Sequence, residues 1–99
     1  MEHLHPKPNE IAQRYLFFKR DRRGGERVKD YVAELRKLSE HCNFGNNLQE
    51  SLRDRFVCGL NDEKVQQRLL ATNELTLKLA VDTATAMEAA ARSAKQIHD

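Results

Sequence analysis

The apolar positions of this 99-residue chain recur at helical spacing, and strict alternation nowhere lasts long enough to predict a strand. The strongest stripe begins after Gly24-Gly25. Val28, Tyr31, Val32, Leu35 and Leu38 fall three and four residues apart, on one face of a helix, while Arg27, Lys29, Asp30, Glu34, Arg36, Lys37 and Glu40 fill the other faces. Glu26 is expected in the first turn, where a carboxylate meets the positive end of the helix dipole. This helix has a greasy front and a wet back, and the other helices are expected to close on its front.

Upstream, Asn9 suits the N-cap of a helix over 10–21. Ile11, Tyr15 and Phe18 share one of its faces, with Leu16 and Phe17 flanking, which is broader than a surface helix requires. Downstream, Asn43-Phe44-Gly45-Asn46-Asn47 reads as a turn, with Gly45 in a left-handed conformation and Phe44 packing back on the core. A third helix is expected over 48–58, carried by Leu48, Leu52, Phe56 and Val57. Gly59 ends it, and Leu60 folds back. A short fourth helix over 62–71 buries Val65, Leu69 and Leu70 behind a cap at Asn61 or Asp62. Thr76 caps a last helix carried by the Leu77, Ala80, Val81, Ala84, Met87, Glu88 and Ala91 positions, and its alanines favour the helical state. Residues 1–8, with Pro6 and Pro8, are expected as an extended entry, residues 9–93 as the folded domain, and 94–99 as a frayed tail. The expected fold is all-α, a compact bundle of about five helices.

Length adds one constraint. A chain this short buries only ~60–65% of the surface its unfolded form exposes, so a second subunit covering an apolar stripe would add stability. Net charge is +2 with histidines neutral, too weak a bias to mark a nucleic-acid binder by itself. Cys42 and Cys58 show no metal spacing and read as small buried apolar groups in a reducing compartment. No apolar run approaches the ~20 residues of a membrane span, and the polar start does not read as a signal peptide.

Candidate chemistry is sparse. His41 and Cys42 are neighbours, and helical neighbours point about 100° apart, so they do not form a nucleophile pair. His3 and His5 lack further metal ligands nearby. Gly24-Gly25 lacks the surroundings of a nucleotide-binding loop. No catalytic residue, metal ligand or cofactor is therefore assigned, and the chain reads as a binding or assembly module rather than an enzyme. Lys19, Arg20, Arg22 and Arg23 could contact RNA phosphate or another polyanion. The alternative is a solvated linker at a helix C-terminus, and the lack of an interleaved aromatic favours it.

The blocks GGERVKDYVAELRKLSEHCNFG, LRDRFVCGLNDEKVQQRLL and LTLKLAVDTATAMEAAAR, in that order and preceded by PKPNEIAQRYLFFKR, resemble the Gag polyprotein of gypsy-type LTR retrotransposons and genes domesticated from them. The likeness spans about residues 6–92. Within that family the region is similar to the C-terminal lobe of the capsid, a relative of the retroviral capsid C-terminal domain, the Arc C-lobe and SCAN domains. Glu26, Tyr31 and Leu35 would then match the glutamate, aromatic and apolar positions of the major homology region, in a turn and helix that include Gly25 and Val28. The family's glutamine four residues before the glutamate is Arg22 here, which is expected to replace its hydrogen bond with a charge-assisted one to Glu26.

The resemblance implies a structural, self-associating role: a homo-oligomer, a dimer first, joined to other Gag capsid lobes in a full-length protein, without membrane contact. Cytoplasmic residence is implied, or nuclear if the gene was domesticated as a regulator. The retroviral dimer helix corresponds to 48–58, with Gln49, Ser51, Leu52, Arg53 and Arg55 as the candidate surface. The bulky aromatic such a helix usually carries near Ser51 is missing, which points to a weak dimer or another face. SCAN-type relatives dimerise by swapping helices, and Ile11, Tyr15, Leu16 and Phe18 form the candidate surface for that mode. Neither an N-terminal capsid lobe nor a zinc knuckle is recognisable here, so nucleic-acid packaging is not expected of this domain alone.

Overall fold

The computed structural model describes residues 9–98, and the side chains of 9–96. The expected extended entry at 1–8, with His3 and His5, lies outside the described residues. The described residues form an all-α bundle of five helices: α1 Glu10–Lys19, α2 Val28–Ser39, α3 Leu48–Cys58, α4 Glu63–Leu70 and α5 Leu77–His98, with a 3₁₀ turn at Gly45–Asn47. No strand occurs among the described residues, and no described helix is long and apolar enough to cross a membrane.

Side chains that stop the orphan N–H groups of a helix start three of the elements. Asn9 accepts from the Ala12 N–H at 3.1 Å, Asp62 from Val65 at 3.2 Å, and Thr76 from Leu79 at 3.1 Å. α2 starts differently. Its first residue is Val28, so Glu26 lies before the helix rather than in its first turn, and the N-cap Arg27 makes no side-chain capping bond. Asn43, before the 3₁₀ turn, and Gly45, its first residue, both take positive φ, reversing the chain within a few residues. α5 stays helical to His98, past residue 93 where fraying was expected.

α2 is the keel. Tyr31 and Leu35 are fully buried and Val28 nearly so, and Leu52, Phe56, Leu60, Leu69, Leu77, Ala80 and Ala84 join them in one core. Tyr31 stacks on Phe56 with ring centroids 5.4 Å apart. Leu60 folds back as expected. Leu70 does not: it is 75% exposed, because Leu69 already fills the inward position of α4. Cys42 is buried, but Cys58 is exposed at the end of α3. On α1 the buried ring is Phe17, which sits against Phe44 at 5.1 Å.

Candidate functional site

The turn before α2 is held by charges. Glu26 accepts two bonds from the Arg20 guanidinium, at 3.0 and 2.6 Å, and one from the Arg23 backbone N–H at 3.0 Å. That guanidinium, above all, holds the Glu26 carboxyl below the usual carboxylate range. Arg22 does not reach this carboxylate. Its Nε donates to the Glu26 backbone carbonyl at 2.9 Å, and its fork closes on Glu88 of α5, with Nη2 to Oε1 at 2.7 Å and Nη1 to Oε2. The expected Arg22–Glu26 carboxylate pair is thus corrected. Arg20 takes the glutamate, and Arg22 ties the turn to a helix 66 positions along the chain. Gly25, at φ +80, supplies the reversal that lets both arginines turn inward.

A second knot lies beneath. The buried Tyr31 hydroxyl donates towards the carbonyls of Arg55 and Phe56, at 3.1 and 3.2 Å. Burial pushes its pKa up to about 12. Arg55 reaches from α3 to Asp21 at 2.7 Å and to the Phe18 carbonyl at the end of α1. Arg14, near the middle of α1, donates from Nε to the Cys42 carbonyl at 2.7 Å and from Nη2 to that of Asn43 at 3.1 Å. Two arginines therefore staple α1 to the body, where apolar packing supplies little.

The candidate dimer surface on α3 does not assemble. Leu52 is 1% exposed and belongs to the core. Arg55 is spent on α1, and Arg53 turns to Asp54 at 2.9 Å and to the Leu75 carbonyl at 3.2 Å. Gln49 is exposed and Ser51 half-buried, so the outward face of α3 is narrow and polar. The basic segment is divided in the same way. Arg20 and Arg22 are bound to carboxylates, Lys19 lies over the Tyr15 ring at 5.4 Å, and Arg23 is exposed. Four neighbours in sequence do not make one cationic surface.

The α1 face is different. Ile11 is 80% exposed, Tyr15 60%, Phe18 52% and Leu16 48%, although each is a side chain that folding ordinarily covers. Ile11, Tyr15 and Phe18 form one stripe at i, i+4 and i+7, with Leu16 on an adjoining flank. The sequence offered Arg20 only as a candidate polyanion contact and Glu88 only as a position along the last helix, and the ion pairs Arg20–Glu26 and Arg22–Glu88 were not expected. Neither carries a local signal, since Arg20 lies off any helical register with Glu26 and Glu88 is a distant polar position on an alanine-rich helix.

No family model, curated protein or solved structure matches the chain. The likeness to Gag capsid lobes therefore rests on the sequence blocks alone.

Proposed function

We propose that this chain is a self-association module, of the kind the C-terminal capsid lobe of a gypsy-type Gag provides, and that it mates through α1. One observation carries the reading: α1 buries a single ring, Phe17, and leaves four large apolar side chains in water. A face of that kind on a small domain marks a contact with another molecule. α3, the helix that retroviral relatives use, has its apolar residue in the core and its arginines tied to the body, which leaves α1 as the better mating surface. The role is structural, without catalysis, and the partner is a second copy.

Light scattering across a concentration series tests this. Mass should rise with concentration, and Tyr15→Glu should weaken association roughly 30-fold or more, the scale of an interface hot spot. Leu70→Glu, at an exposed leucine on α4, should leave it unchanged. A wild-type chain that stays monomeric, or loss through Leu70→Glu but not Tyr15→Glu, would overturn the reading. The limiting mass also separates two uses of this surface. Growth past a dimer fits capsid-like assembly, whereas a plateau at two fits a domesticated, SCAN-like pairing domain, which the weakly packed α1 would suit through exchange between copies.

A further inference from the structure

An open groove of about 790 Å³ lies between the Gly24-Gly25 turn and the outer part of α5. Three separate stretches of chain build it: 22–29, Asn61, and α5 from Thr85 to Arg92. Arg22, Arg23, Arg27, Lys29 and Arg92 line it against two carboxylates, Glu26 and Glu88. Both carboxylates are already occupied, Glu26 by Arg20 and Glu88 by Arg22. Arg23, Arg27, Lys29 and Arg92 form no ion pair with any described carboxylate. The fold thus brings four uncompensated cations from two distant segments onto one concave surface, where their fields add and the protein walls concentrate them.

The groove also has room. A side chain at Gly24 would meet no atom within 4 Å, so the turn leaves space beside its backbone. Its volume falls within the range of small-molecule sites. No aromatic side chain lines it, so bases would find no stacking platform. Three arginines and a lysine lining one groove match a ligand with several negative charges, and a single carboxylate would leave most of them unanswered.

We propose that this groove binds a small polyanion carrying clustered phosphate groups. The site does not depend on self-association, because one copy supplies every lining residue. Neither Arg27 nor Arg92 pairs with a described carboxylate, so both can be changed without touching the Arg20–Glu26 and Arg22–Glu88 clamps.

Calorimetric titration of the full chain with inorganic tripolyphosphate at low salt tests the proposal. The wild type should bind at one site, with affinity falling as salt rises. The double variant Arg27→Gln, Arg92→Gln should lose about tenfold or more, the scale of charge-assisted contacts. Lys64→Gln with Arg68→Gln on α4 removes the same charge elsewhere and should change affinity by no more than about threefold, as expected for distant screened charges. Unchanged far-ultraviolet dichroism and melting temperature in both variants establish that folding is intact. No binding by the wild type, or equal losses in the two double variants, would overturn the proposal. So would a short single-stranded oligonucleotide that binds in dependence on Arg27 and Arg92 where tripolyphosphate does not, since the groove would then belong to nucleic acid.

Discussion

Gly59 sits where four other residues converge. Its carbonyl accepts from the Arg22 N–H at 2.8 Å, and a β-carbon on it would lie 2.5 Å from the Tyr31 hydroxyl, 3.0 Å from Asp21 Oδ1, and against the Arg55 guanidinium. Its φ of −103° is open to any residue, so close approach rather than backbone freedom requires glycine here. Gly59→Ala should destabilise the bundle by roughly 1–3 kcal/mol, the usual cost of overpacking, measured by urea titration. Glu26 gives the fold a pH dependence. Its folded pKa is lowered, chiefly by the Arg20 hydrogen bonds. That stabilisation is complete above the unfolded glutamate pKa of about 4.3 and is lost as pH falls through the lower folded value. Glu26→Gln should therefore cost stability at pH 7 and flatten the acid limb of a stability–pH curve. A mutant curve parallel to the wild type would show that the Arg20–Glu26 pair is not the source.

At the scale of elements, α1 is the least integrated helix. Phe17 is its one buried side chain, and two arginine–carbonyl bonds attach it, from Arg14 near its middle to Cys42 and from Arg55 of α3 to Phe18 near its C-terminal end. α2, by contrast, buries Val28, Tyr31, Leu35 and Ser39. Phe17→Ala should cost about 3–5 kcal/mol if α1 unfolds with the core, as core phenylalanine truncations do. If α1 is a separate, less stable unit, amide exchange should instead accelerate in Ala12–Lys19 and leave α2 unchanged. The arrangement predicts the second outcome, which hydrogen-exchange mass spectrometry resolves. The apolar periodicity of residues 10–21 announced this helix but not its orientation. Five apolar side chains in eight positions cover most of the circumference, so the pattern could not single out Phe17 as the inward one. α2 was legible because its stripe is narrow and its other faces are charged.

For the molecule as a whole, the interior is filled before every apolar residue is used. α1 is left with an apolar outer face, and α5 continues past Glu88 with exposed side chains through Gln96. At ~1.5 Å per residue that outer stretch reaches well clear of the core, and the Arg22–Glu88 clamp is the charged tie nearest the point where it leaves the body. The chain's own periodicity, caps and glycines determined that it would be helical, where most helices lie, and that Tyr31 and Leu35 would be inside. These follow from neighbours three or four residues apart, whose geometry a helix dictates. Tertiary structure alone decided which carboxylate each arginine takes, that Leu52 and Arg55 of α3 are withdrawn from the surface, and that Arg27 and Arg92 border one groove. Long charged side chains can reach many partners, and only the closed bundle determines which lies within reach.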